Sequence, residues 1–289
     1  MSPLLAAGVV AALALTLYAL DRFAGRFVRP ALQPVERTVS DLGLPFEEIG
    51  ITSGEHTLQG WLLGVEEPSG EGALILLAHG WGANHGVVLR LGAPLAQRGH
   101  AVLLFDVRGH GRNRPLPEVT VRDFRDDIMA AARYAHRRFP DRALVVVGHS
   151  MGGAGAVLAA ADGAAVDGLI LIASPSDTLR VTAEYLTDHG WPGTFLVYAL
   201  RPFFWRRVGG SFLQFTPSRR ISEIEDPLLL IQPELDARVV RPHAERLSAA
   251  AGRPYHLIEG YEHTDVLEAP ETVKLVEDFV EKVEAGSEE

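Results

Sequence analysis

The strongest chemical signal in the sequence is five residues long. Gly148-His149-Ser150-Met151-Gly152 follows the apolar run Ala143 to Val147 and opens a stretch of small residues, Met151 to Ala161, that reads as a helix. A serine on a tight strand-to-helix turn, flanked by glycines two positions away, has the context of a nucleophile elbow. The turn forces a strained backbone on the serine, and larger flanking side chains would collide with the neighbouring strand and helix. The helix dipole favours negative charge developing at that spot. The chemistry this allows is attack on a carbonyl carbon and formation of an acyl-enzyme. The blander alternative is a small-residue helix start with a serine cap.

A tetrahedral intermediate needs two backbone N–H donors aimed at its oxygen. Met151, after the nucleophile, is one; the other is expected from His79-Gly80-Trp81-Gly82, a glycine-rich loop ending an earlier apolar run. Trp81 is the best-placed donor there, and His79 is expected to organise the loop by hydrogen bonds. The serine also needs a histidine base, and the histidine an acid to fix its tautomer. In chain order after Ser150, Asp236 follows the apolar run Pro227 to Ile231, and His263 follows Tyr255 to Ile258. Glu234 and Asp265 stand close by as competing acids. His56, His85, His110, His136, His189, His243 and His256 read as surface or structural. Neither an H-E-x-x-H pattern nor a cysteine is present, so no catalytic metal, cofactor, thiolate or disulfide is expected.

The segments that must hold these residues alternate in character. Phe46–Thr52 and Leu58–Val65 read as strands around the turn Ser53-Gly54-Glu55-His56. Apolar runs follow at Leu74–Ala78, Ala101–Phe105, Leu144–Val147, Leu169–Ile172, Leu228–Ile231 and Tyr255–Ile258. Helical patterns separate them at Val87–Gln97, Val121–Arg138 and Met151–Ala161. Short runs apolar on both faces, separated by helices, indicate a mostly parallel sheet covered on both sides. There is no internal repeat and no low-complexity tract beyond an acidic tail. Between Pro175 and Pro227, about fifty residues stand where one helix would suffice. They include Tyr185, Trp191, Phe195, Tyr198, Phe203, Phe204, Trp205, Phe212 and Phe215, so this insertion, 176–226, is expected to be a lid.

The N-terminus stands apart. Pro3 to Leu20 carries no charge and is long enough to cross a bilayer; Asp21 ends it, and Arg22, Arg26 and Arg29 follow. A cleavable signal sequence usually has positive charge before its apolar run, which this segment lacks. The reading is a membrane-anchor helix within residues 1–30, with the following domain, 40–289, facing the cytoplasm. A signal sequence, a helix lying on the membrane and a helix packed on the domain are the alternatives. The formal net charge of −10 disfavours nucleic acid as a partner.

These landmarks together resemble the α/β-hydrolase superfamily, in the branch of monoacylglycerol lipases, serine aminopeptidase-like hydrolases and bacterial membrane-anchored relatives. The resemblance runs from about Phe46 to Val283. It rests on His79-Gly80-Trp81-Gly82, Asp106-Val107-Arg108-Gly109-His110-Gly111, the Ser150 elbow, and the Asp236 and His263 segments. It implies an α/β-hydrolase fold with a helical lid and a Ser150–His263–Asp236 triad, with Trp81 and Met151 as oxyanion donors. It further implies a structural bracing role for the Asp106–Gly111 loop. Relatives often have glycine where this chain has Pro233, which leaves Glu234 beside Asp236 as an acid. A serine nucleophile, an aromatic insertion and an apolar N-terminus lead to an expected small-molecule ester or lipid substrate, with Trp191, Phe195, Phe203 and Phe204 lining its path. Acyl transfer, amide or peptide cleavage, and ligand binding without turnover are the competing readings.

Overall fold

The computed structural model describes residues 2–64 and 72–286. Val65, the expected end of the second strand, and the last three residues of the acidic tail lie outside the described residues. Helix α1 (Pro3–Ala24) comes first, capped by Ser2, whose Oγ accepts from the Leu5 N–H at 3.3 Å. Then follow strands β1 (Phe46–Ser53), β2 (His56–Leu63) and β3 (Leu74–Ala78), helix α2 (His85–Gln97), β4 (Ala101–Phe105), α3 (Val121–Arg138), β5 (Leu144–His149) and α4 (Met151–Ala161). After β6 (Gly168–Ile172) come α5 (Thr178–Asp188), α6 (Gly193–Val208) and the one-turn α7 (Pro217–Arg220). The chain ends with β7 (Leu228–Pro233), α8 (Pro242–Ala251), β8 (Tyr255–Ile258) and α9 (Pro270–Gly286).

The eight strands form one sheet in the order β1-β2-β4-β3-β5-β6-β7-β8. Only β2 runs against the others, paired antiparallel with β1 and β4. Its neighbours from β4 to β8 are all parallel. The continuous apolar runs have a direct reason: successive residues of one strand enter two different cores. Leu74, Leu76 and Ala78 pack with Phe124, Ile128 and Ala131 of α3 on one face. Ile75 and Leu77 pack with Val88 and Leu91 of α2, and Val276 and Val280 of α9, on the other. The small residues of α4 let it approach α3 closely, since a Cβ at Gly155 would stand 2.7 Å from Phe124 Cβ.

Five of the expected strands and helices have the bounds read from the sequence. The others differ at their ends. Helix α2 begins at His85 rather than Val87, because Asn84 caps it with Oδ1 accepting from the Gly86 N–H at 3.0 Å. Strand β5 continues through His149, so the elbow starts directly from the ladder. Helix α1 does not stop at Asp21 but runs one turn further, to Ala24. The segment between β6 and β7 is mostly helical.

The stretch joining α1 to the sheet is bound along its length. Val119 N–H donates to Val28 O at 2.8 Å, and Gln33 N–H to Gly82 O at 2.8 Å. Asn84 Nδ2 reaches Gln33 O and Pro34 O at 3.2 Å. This strap lies against the loop that carries Trp81.

Candidate active site

Parallel strands bring their carboxyl ends to one edge of the sheet, where open α/β sheets bind ligands. Trp81 follows β3, Ser150 follows β5, Asp236 follows β7 and His263 follows β8. The elbow is as strained as the sequence requires. Ser150 has φ 55° and ψ −122°, in the left-handed region that side chains other than glycine rarely adopt. Surrounding contacts hold it there: Ser150 N–H donates to Ile172 O on the neighbouring strand at 2.9 Å, and its own carbonyl accepts from Gly153 N–H at 2.9 Å. A Cβ at Gly152 would stand 2.6 Å from His79 O and closer still to Ala78 O. At Gly80 it would stand 2.9 Å from Ser150 Cβ. Only glycine fits at either place.

Asp236 and His263 meet. His263 Nδ1 lies 2.8 Å from Asp236 Oδ2, with the Asp236 side chain fully buried. Asp236 Oδ1 accepts from the backbone N–H groups of Arg238 and Val239, both at 2.8 Å, which fixes the carboxylate in the β7–α8 loop. A proton on Nδ1 leaves Nε2 of His263 as the proton acceptor. The competing acids are occupied elsewhere: Glu234 accepts from Gly260 N–H at 3.0 Å and Asp265 from Glu262 N–H at 2.6 Å. Pro233 closes β7 in register with Ile258. The Ser150 hydroxyl faces Gly80, where a Cβ would lie 3.3 Å from Oγ, and is not hydrogen-bonded to His263 here.

His149 is the residue that sequence reasoning missed. Its Nε2–H donates to the main-chain oxygen of His263 at 2.8 Å, and the two rings stand 4.8 Å apart. Burial pushes His149 down to about 3, with the neighbouring His263 adding to the effect, so it is a neutral brace between the elbow and the histidine loop. Its only sequence signal was its place inside the five-residue motif.

On the other side, Met151 opens α4, so its N–H has no acceptor within the helix. Trp81 stacks on Phe124 with centroids 6.3 Å apart. His79 organises its loop as expected: Nδ1–H donates to Gly80 O at 2.8 Å and Nε2 accepts from Val107 N–H at 2.9 Å. Burial holds His79 down at about 4 and hence neutral. Asp106 accepts from His85 N–H at 2.7 Å and Arg112 N–H at 2.8 Å, and lies 3.0 Å from His85 Nδ1. These bonds tie the 106–111 loop to the start of α2. His243 is likewise engaged, with Ser176 Oγ at 2.8 Å and Glu184 at 2.7 Å.

The aromatics of the β6–β7 segment divide into two groups. Phe204 is buried in a small cluster with Ala24 and Leu200, against which Phe203, Phe23 and Phe27 pack. Trp191 and Phe195 are exposed, with Phe23 the ring nearest to Trp191. Val208 and Phe215 reach the elbow side, where Met151 packs against them. Two polar depressions, of about 180 and 260 Å³, flank His263 and the strap, and Ser150 lines neither. No group of three or more metal-ligating side chains occurs among the described residues.

A family model described as the alpha/beta hydrolase fold matches residues 73–207. The protein YfhR of Escherichia coli O157:H7 is 27% identical over 230 residues, covering 73% of this chain and 70% of that one. The monoglyceride lipase of Rattus norvegicus is 31% identical over 179 residues, which cover 56% of this chain and 54% of that relative. An esterase of Pyrococcus furiosus shares the fold with a TM-score of 0.67 at 19% identity, over 88% of this chain and 98% of its own. By sheet order and by its likeness to solved structures, this chain has the α/β-hydrolase fold.

Proposed function

We propose that the protein is a serine hydrolase of carboxylic esters, with acyl or lipid-like esters as substrates. Ser150 attacks the carbonyl carbon while His263 Nε2 takes the hydroxyl proton, and Asp236 holds the imidazole and stabilises its charged form. The N–H groups of Met151 and Trp81 receive the oxyanion. His263 then protonates the leaving alcohol as its bond to the acyl carbon breaks. Water attacks the acyl-enzyme, its proton passes to His263, and His263 returns that proton to Ser150 Oγ as the acyl–Oγ bond breaks and the acid is released. The observation that carries the reading is the combination of a strained Ser150 at φ 55° with the buried 2.8 Å His263–Asp236 pair on the same sheet edge.

Residues 176–226 are read as a lid and α1 as a membrane anchor. Its 22 residues are apolar enough to cross a bilayer by length and composition, and the apolar window is exposed. The arginines Arg22, Arg26 and Arg29 on the domain side support a cytoplasmic orientation of that domain. The same apolar surroundings favour acyl chains over small polar substrates. These roles are tested by labelling with a serine-directed fluorophosphonate and by turnover on esters of graded acyl length. Ser150→Ala loses labelling and turnover, and Asp236→Asn lowers kcat by about 10⁴-fold. Labelling retained in Ser150→Ala sinks the nucleophile assignment. Glu234→Gln costing as much as Asp236→Asn sinks the acid assignment, and rates that do not change with acyl length sink the lipid reading.

A further inference from the structure

Helix α1 does not merely precede the hydrolase domain. Its apolar residues, among them Leu4, Val10, Leu13 and Leu15, are exposed, yet its last turn, Asp21 to Ala24, is built into the lid. Asp21, one residue past the apolar run, is held by two arginines of α6. Arg206 donates to Oδ1 at 2.8 Å and to Oδ2 at 3.0 Å. Arg207 is only 3% exposed and donates to Oδ1 at 2.7 Å and to the Asp21 main-chain oxygen at 2.8 Å. It also binds Glu118 at 3.1 Å and Phe203 O at 3.1 Å. A cation at the last turn of α1 meets the negative end of the helix dipole. Gly25 permits this approach, since a Cβ there would lie 3.0 Å from both Arg207 and Glu118. Beside the ion pairs, Phe27 meets Phe204 edge-on at 6.3 Å and Phe23 lies 6.5 Å from Trp191.

A carboxylate at the end of an apolar spanning helix is costly unless paired, and here it is paired to the lid. The exposed rings Phe195, Tyr198 and Trp205 lie on α6, the helix that α1 grips, and exposed Trp191 lies just before it. Rings of this kind next to arginines suit the boundary between headgroups and acyl chains. The strap from Val28 to Pro34 carries the same connection on to the Trp81 loop, through Gln33 N–H on Gly82 O and Asn84 on Gln33 and Pro34.

We infer that α1 and the lid form one membrane-docking unit, clamped by Asp21, Arg206 and Arg207, that holds the lid's aromatic face against the bilayer in which α1 is seated. The occupant of that face is the lipid surface itself, and ester substrate enters the site from the same bilayer. The inference rests on the reading of α1 as an anchor, and its test separates the two.

The full chain is reconstituted into phosphatidylcholine vesicles with brominated acyl chains. Three readouts are followed: flotation with the vesicles, quenching of Trp191 and Trp205, and hydrolysis of p-nitrophenyl acetate against a long-chain monoacylglycerol in the same vesicles. Trp61 is buried and Trp81 is stacked within the domain, so bromine quenching reports the lid rings. Asp21→Arg, which sets like charges against α6, is expected to float as the parent does. Its p-nitrophenyl acetate turnover stays within about twofold, while its monoacylglycerol turnover falls about tenfold and quenching is lost, as the lid's effective concentration at the membrane drops. Asp21→Arg with Arg207→Asp, which re-forms an opposite-charge pair next to Glu118, restores both. A parent chain that does not float overturns the anchor reading and the clamp with it. A parent that floats but whose quenching and monoacylglycerol turnover are unmoved by Asp21→Arg overturns the clamp alone. Equal loss on both substrates without rescue reduces the ion pairs to a folding role and also overturns it. If the parent never cleaves monoacylglycerol, the quenching readout alone decides.

Discussion

The carboxyl edge of the sheet and the segment between β6 and β7 are built on opposite principles. At the sheet edge every group is fixed from several sides: Ser150 by Ile172 and Gly153, Asp236 by two backbone N–H groups and His263, His79 by Gly80 and Val107. In the β6–β7 segment Trp191, Phe195, Tyr198 and Trp205 are all more than half exposed, while Val197, Leu200, Phe204, Val208, Phe215 and Ile221 are buried in cores. The first region holds its polar groups in place with little freedom to reorganise, as the proposed oxyanion and imidazolium would require. The second presents apolar surface, which suits a partner that is itself apolar. Rigidity is concentrated at the sheet edge, and apolar surface is left open on the β6–β7 segment.

The largest effect should come from breaking the rigid side. Gly152→Val puts a branched side chain where even a Cβ would lie 2.6 Å from His79 O. The clash is with backbone on the adjacent strand and loop, which cannot rotate away. Urea denaturation is expected to show a loss of more than about 3 kcal/mol. A variant as stable as the parent would mean the elbow is looser than its contacts imply.

A smaller effect sharpens the comparison through pH. His79 and His149 are buried and neutral, held down at about 4 and about 3 against an ordinary value of 6.5, with His263, Asp236 and Arg238 the titratable groups facing His149. Below pH 6.5 the unfolded chain binds protons that the folded one refuses. Their contribution is therefore complete above pH 6.5 and lost as pH falls toward 4 and then 3. Each histidine can supply on the order of 3 kcal/mol to this loss. Tm should be level from pH 7 to 8 and fall steeply below 6. His149→Gln can keep a donor toward His263 O, so it should flatten the acid limb; an unchanged limb would remove His149 from the account.

How legible each region was in the sequence follows the same division. The sheet edge was readable because steric demands there leave few residue choices: glycine at 80, 148 and 152, and apolar residues on both faces of each central strand. Asp236 was separable from Glu234 only by geometry, since two carboxylates two residues apart look alike until the loop turns one toward His263 and the other toward Gly260. The ends of α2 and α1 were missed for local reasons, an asparagine cap in one case and in the other a carboxylate whose charge is met by a distant helix. The strap could not be read at all. Its binding runs through backbone atoms of Val28, Gln33 and Pro34, and backbone bonds leave little trace in residue type.

The smallest effect lies within the open segment and divides it in two. Phe204, 4% exposed, packs on Ala24 and Leu200, whereas Tyr198, 68% exposed, stands outward on the same helix. Phe204→Ser should cost a few kcal/mol through a cavity holding a hydroxyl. Tyr198→Ser should leave urea stability within about 0.5 kcal/mol. Its effect should emerge only with lipid present: a ring withdrawn from the interface forfeits about 1 kcal/mol of burial, or roughly a fivefold weaker partition of the lid onto vesicles. Equal stability losses in the two variants would show that Tyr198 is packed rather than free, and the contrast between a locked sheet edge and an open aromatic face would then fail at its weaker end.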